Sequence, residues 1–103
     1  ERARRRTSAF QAAALELGPL SVRVNSLHPG PTKTNLGAAW DLRDADGNPL
    51  GEEAVEAAWT PFIAAGRLGE APEMANMVAF LASDASVYVN GAEMVVDGGY
   101  MAR

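Results

Sequence analysis

Val22-Arg23-Val24-Asn25-Ser26-Leu27, running through His28 into Pro29-Gly30-Pro31, is the stretch on which the fold turns. Its first six residues are rich in β-branched side chains and read as a short strand. The prolines then remove two backbone donors, and Gly30 permits a sharp change of direction, so the strand ends there. On the N-terminal side, residues 7–17 read as a helix. Phe10, Ala13, Ala14 and Leu17 recur at i, i+3, i+4 and i+7. Gly18-Pro19 is a stop signal, with Gly18 expected in a left-handed cap.

On the C-terminal side, residues 32–69 form a long mixed segment. Asp44-Ala45-Asp46-Gly47-Asn48-Pro49 is a turn cluster. It has the start of a calcium-loop spacing without the remaining ligands. A helix is expected within 52–65, with Val55, Trp59 and Phe62 at helical spacing and Pro61 breaking or restarting it. So long and aromatic a connection suits a lid or binding loop, while Trp40, Trp59 and Phe62 could equally be core or interface anchors. A second clear helix follows. Pro72 suits a first turn, Glu70 and Glu73 favour its N-terminus, and Met74, Met77, Val78, Leu81 and Ala82 form its apolar stripe. Ser83-Asp84 closes it. Ala92-Glu93-Met94-Val95-Val96 reads as a second strand, ended by Asp97-Gly98-Gly99.

Strand, crossover helix and strand make a βαβ unit of a parallel sheet. Parallel sheets need several strands with helices on both faces, and two strands do not meet that need. The expected fold class is therefore α/β, one end of a doubly wound parallel sheet: the last two strands with flanking helices, incomplete as it stands.

Composition narrows the function. The 103 residues are 48% hydrophobic and 21% charged, within the globular range. The absence of cysteine rules out a disulfide framework, a zinc–thiolate site and a thiol nucleophile. His28 is the only histidine, too few imidazoles for a histidine metal site. Net charge is −4, but residues 1–6 hold four arginines and one glutamate and sum to +3, leaving −7 on the rest. An acidic body argues against nucleic acid as a partner. No apolar run approaches the ~20 residues of a membrane span, and a cytoplasmic protein is expected.

Taken together, Ala14-Leu15-Glu16-Leu17-Gly18, Val22-Arg23-Val24-Asn25-Ser26, His28-Pro29-Gly30, Gly66-Arg67-Leu68-Gly69-Glu70, the helix Met77 to Asp84, and Asn90-Gly91-Ala92-Glu93 leading to Val96-Asp97-Gly98-Gly99 resemble the C-terminal half of short-chain dehydrogenases/reductases, in that family's order and near its spacing. Residues 9–103 carry the resemblance. It implies a partial Rossmann-like domain over 1–103, with an atypical Arg-rich start at 1–8 and a substrate-lid segment at 36–69. It implies NAD or NADP as cofactor, hydride transfer with an alcohol or ketone substrate, and a homo-oligomer. It places Pro29, Gly30, Thr32 and Thr34 against the nicotinamide: the backbone at Thr32 bonding the carboxamide and Thr34 contacting the cofactor. Leu36, Trp40, Trp59 and Phe62 become substrate-facing lid residues, and no metal is implied.

The sequence departs from the family at Thr32, where the family often has Ile or Val, and most of all in its chemistry. Family chemistry rests on a Tyr and a Lys four residues later, the Tyr as general acid/base and the ammonium lowering its pKa. At family spacing the Lys slot falls near Ala3 and the Tyr slot just before Glu1. The only lysine, Lys33, and the first tyrosine, Tyr88, do not form that pair. No Gly-rich phosphate turn precedes a helix here. These residues therefore contain no catalytic set and are expected to be inactive alone. The Arg run at the Lys slot reads as a truncated or frame-disrupted junction, which predicts a Gly-rich turn and a Tyr-x-x-x-Lys helix in a shifted frame upstream. The competing expectation is a non-catalytic oligomerisation or interaction module derived from the same family.

Overall fold

A computed structural model describes residues 8–34 and 42–102. The atypical start, Leu36 and Trp40 lie outside the described residues. Helix α1, Ala9–Leu17, begins where Gln11 Oε1 accepts the Ser8 N–H at 3.2 Å. Gly18 is not its left-handed cap. It stays right-handed, with φ −51° and ψ −47°, because Pro19 fits a 3₁₀ turn over Gly18–Leu20 that prolongs the helix. The left-handed position moves to Ser21, φ 61°, whose N–H donates to Gly18 O at 2.9 Å. Gly18 serves space instead: a Cβ there would lie 3.4 Å from Asn90 Nδ2.

Strand β1 is Ser26–Pro29, a shift from the expected 22–27. Residues 22–25 lie beside the following chain but bond through side chains as well as backbone. Val24 N–H donates to Asn90 Oδ1 at 3.0 Å, Ala92 N–H to Asn25 Oδ1 at 2.9 Å, and Gly91 N–H to Val24 O at 2.9 Å. Two asparagine amides thus stand in for ladder bonds before the regular ladder begins. From there β1 pairs in parallel with β4, Glu93–Val96, in the register Ser26 to Glu93 through Pro29 to Val96. Ser26 and Gly30 N–H donate to Ala92 O and Val96 O, at 3.0 and 2.9 Å. By alternation, the nitrogen of Pro29 faces the other edge of β1, so its missing donor leaves the β4 ladder intact.

Beyond the turn, β2 (Thr32–Lys33) pairs in parallel with β3 (Gly69–Glu70), a second small sheet that the sequence did not announce. Between them, α2 spans Glu52–Trp59, and Pro61 sits in a 3₁₀ turn over Thr60–Phe62, the expected break. Helix α3, Ala71–Ala82, is the crossover between β1 and β4, with Pro72 in its first turn and Glu73 Oε1 accepting the Glu70 N–H at 3.0 Å.

Arg23 ties this crossover to the strand region. Its guanidinium donates to Leu81 O at 2.8 Å, Ser83 O at 3.4 Å, Val89 O at 3.2 Å and Ser86 Oγ at 3.1 Å. It therefore caps carbonyls at the end of α3 that no helical N–H reaches. Ser86 is wholly buried and its hydroxyl donates to Leu81 O at 3.0 Å.

Among the described residues, the buried apolar side chains are Ala14, Ile63 and Leu68. Leu15 is 75% exposed, Val87 70% and Tyr88 100%. The radius of gyration is 17.6 Å, against about 13 Å for a compact chain of this length. Secondary structure is well formed while the apolar faces stay open, as expected of one end of a larger sheet.

Candidate functional site

The candidate site is the turn that carries the chain from β1 to β2, built against the turn after β4. Gly30 is held to the end of β4, and a Cβ on it would lie 2.5 Å from Asp97 Cβ and 2.6 Å from Asp97 Cα. The neighbour that demands glycine is thus Asp97. Asp97 in turn fixes its own loop: Oδ1 accepts the Gly99 N–H at 2.9 Å and Oδ2 the Met101 N–H at 3.0 Å. Gly98 and Gly99 have φ of 63° and 92°, and Cβ atoms there would press on Ile63 and Ala64 at 2.9 and 2.8 Å. Ala65 N–H donates to Gly98 O at 2.9 Å. The end of the lid segment is therefore seated on the end of β4.

Thr32 sits in this frame with two features. Its hydroxyl donates back to Gly30 O at 2.7 Å and pins the turn. Gly69 N–H donates to Pro31 O at 2.9 Å within the parallel pairing of Thr32 with Gly69. Alternation along a parallel strand then turns Thr32's own N–H and C=O away from β3. One backbone donor and one acceptor stand side by side on that edge. Pro29, Gly30, Thr32 and Thr34 are thus brought into one continuous turn, with Thr34 exposed at its end.

The small cavity at this turn has a volume near 60 Å³ and is lined by Pro31, Ala65, Gly69, Met74 and Gly98 together with Arg67. That is far below the several hundred Å³ of a small-molecule site, so no ring binds inside it. Arg67 instead forms a two-pronged pair with Glu73, Nη1 to Oε1 at 2.7 Å and Nη2 to Oε2 at 2.9 Å. The guanidinium, and then the Glu70 N–H, hold the Glu73 carboxyl down at about 2. This pair fixes the entry to α3.

Of the residues expected to face substrate, Trp59 is half-buried and meets Tyr100 edge to face, ring centroids 5.9 Å apart. Phe62 is 50% exposed in the 3₁₀ turn. Lys33 Nζ lies 3.4 Å from Glu56 Oε1 of α2 and 3.6 Å from Glu70 Oε1 of β3. In the Asp44 loop, Oδ1 accepts the N–H groups of Asp46 and Asn48, both at 2.9 Å, which spends the carboxylate on the turn itself. Among the described residues no group of three or more His, Cys, Asp or Glu is placed to hold a metal. No helix among them is long and apolar enough to cross a membrane.

Sequence reasoning missed Arg23, Asn25, Asn90, Asp97 and the Lys33–Glu56 pair. A signal existed for Arg23 and Asn25: polar groups set between β-branched residues need buried partners. For Lys33 and Glu56, 23 positions apart in the sequence, no local pattern exists.

A family model described as Enoyl-(Acyl carrier protein) reductase matches residues 7–101. The chain is 42% identical over 92 residues to a 3-alpha-(or 20-beta)-hydroxysteroid dehydrogenase of Mycobacterium bovis, covering 89% of this chain and 29% of that protein. It is 39% identical over 97 residues to a cyclohexanol dehydrogenase of an Acinetobacter species, covering 94% and 33%. A crystal structure of a short-chain type dehydrogenase/reductase from Mycobacterium marinum superposes with a TM-score of 0.73 at 37% identity, covering 91% of this chain and 32% of that one. The chain thus spans about a third of the length of the relatives it matches. With parallel strands, crossover helix and turn in the same order as these relatives, the chain belongs to the short-chain dehydrogenase/reductase family.

Proposed function

We propose that this chain is the C-terminal section of an NAD(P)-dependent oxidoreductase that moves hydride between nicotinamide and an alcohol or ketone carbon. It contributes the turn against the carboxamide and part of the lid over the substrate. The observation that carries this reading is the orientation of Thr32, whose N–H and C=O project from the edge opposite β3. A primary carboxamide has one acceptor oxygen and an NH₂ donor, the complement of that pair. Pro29 and Pro31 fix backbone angles on either side of Gly30, and the Thr32 hydroxyl locks the turn, so the pair is held in place before a ligand arrives. When bound, nicotinamide supplies the ring carbon that gives or accepts the hydride. Thr34 follows on the same turn and offers its hydroxyl to the cofactor.

Trp59 and Phe62 give the lid apolar character suited to a hydrophobic substrate. The named substrates of two relatives, a hydroxysteroid and cyclohexanol, are both alicyclic alcohols, and that class is the one proposed here. The general acid/base Tyr and its Lys are not among these 103 residues. The 103-residue polypeptide by itself is therefore expected to give no NAD(P)H turnover.

Thr32→Pro in the full-length enzyme tests the turn, because it removes an N–H that the β3 ladder does not use. Losing one such bond weakens NAD(P)H binding by about tenfold, while Thr32→Val, which loses only the hydroxyl, has the smaller effect. Equal NAD(P)H affinity in Thr32→Pro and the parent, with circular dichroism unchanged, would overturn the assignment.

A second reading, a non-catalytic interaction module, draws on the exposed Leu15, Leu20, Val87 and Tyr88. Apolar surface of that kind calls for cover. Sedimentation of the 103-residue polypeptide separates the cases: a defined soluble oligomer supports the module, and an aggregate or unfolded monomer counts against it.

A further inference from the structure

Lys33 is the only lysine in the sequence and directly follows Thr32. Its ammonium stands between carboxylates of two different elements, Glu56 of α2 at 3.4 Å and Glu70 of β3 at 3.6 Å. We propose that Lys33 is a positioning residue that clamps helix α2 to the β2–β3 ladder and so sets the Trp59 face of the lid over the nicotinamide turn. The role in substrate binding rests on the lid reading given above; the clamp itself rests on geometry alone.

Three observations support the clamp. Glu56 and Trp59 are three residues apart on α2 and share a flank of the helix, so the ion pair and the Trp59–Tyr100 contact at 5.9 Å hold the same side. An ammonium has three donors and can serve both carboxylates at once. Glu56 and then Glu70 raise the Lys33 pKa, in keeping with an ammonium held between two anions. An exposed ion pair is a weak bond. That suits a lid, which has to open, whereas the strand seam does not.

Because the lysine is 46% exposed, added salt screens the clamp, and this gives the test a second axis. Hydrogen exchange is read at the amides of Glu52–Trp59 in the protein, in Lys33→Met, Lys33→Arg and Glu56→Gln, at low salt and at about 1 M, where the Debye length falls to about 3 Å. The expected result is exchange about two- to fivefold faster in Lys33→Met and Glu56→Gln at low salt, parent-like exchange in Lys33→Arg, and convergence of all four at high salt. Parent-like exchange in Lys33→Met at low salt overturns the clamp.

Kinetics in the full-length enzyme, of which this chain is proposed to be the C-terminal section, then test the positioning role. In Lys33→Met the KM for an alicyclic ketone rises about threefold, while kcat and the NAD(P)H dissociation constant hold. A loosened α2 with unchanged KM overturns that role. A parent protein that binds no NAD(P)H speaks against the nicotinamide reading instead, and the exchange data still decide the clamp.

Discussion

The seam between β1 and β4 and the proposed lid between β2 and β3 are both joined by parallel pairing, yet they are secured by different chemistry. At the seam, Asn25 and Asn90 exchange bonds with the opposing backbone, and Arg23 gathers carbonyls from the end of α3 and the loop after it. Some of these carbonyls hold a second donor as well: Leu81 O takes the Ser86 hydroxyl and Val89 O the Asn25 amide. The lid is held by a lysine between two partly exposed glutamates, an edge-on aromatic contact and small residues that allow close approach at its end. Those contacts are individually weak or tolerant. Parallel pairing therefore says little about rigidity; what matters is how many partners the flanking polar groups gather from distant parts of the chain.

The largest expected effect falls on the seam. Arg23→Met should destabilise the protein by about 3 kcal/mol, because carbonyls of Leu81 and Val89 lose a charged donor while Ser86 stays buried. Urea unfolding checks this, and a change under 1 kcal/mol would erase the contrast drawn above. Asn90→Ala comes next, at about 1 kcal/mol, since Val24 N–H loses its acceptor while Ala14 O keeps the Gly18 N–H. The same measurement on Lys33→Met should show a far smaller shift.

A pH test sharpens the comparison at the boundary of the two regions. Glu73 has its folded pKa depressed from 4.5 to about 2 by Arg67. Its contribution is present above the unfolded value of 4.5 and is lost as pH falls through 2. Unfolding midpoints of Arg67→Gln and the parent should differ above that window and converge below it; a difference that persists under acid would rule out the pair as its source. The smallest expected effect is a gain. Ser21→Gly places a permissive residue at φ 61° and should stabilise by about 0.5 kcal/mol after its own entropic cost.

Much of this was legible in the sequence. The apolar spacing of Met74, Met77, Val78 and Leu81 marks α3, and Pro61 marks the break after α2, because both signals are local. The Pro29-Gly30-Pro31 turn was legible for the same reason. What could not be read depends on distant chain. The β2–β3 pairing joins residues too few to carry a periodic signal. The true start of β1 depends on asparagine amides that replace ladder bonds. Gly30 is legible as the point where the chain turns sharply, but its close neighbour Asp97 is not, since only the structure brings the two together. Gly18-Pro19 suggested a left-handed cap at Gly18, and the 3₁₀ turn moved that conformation to Ser21.

Pro29 leaves a gap on the outer edge of β1. A strand that joins β1 there meets a ring nitrogen where the last donor should be, so its carbonyl at that level goes unmatched and has to turn outward. The row of donors on that edge therefore stops at Leu27. The proline ends it on the side away from β4, next to the turn that carries Thr32.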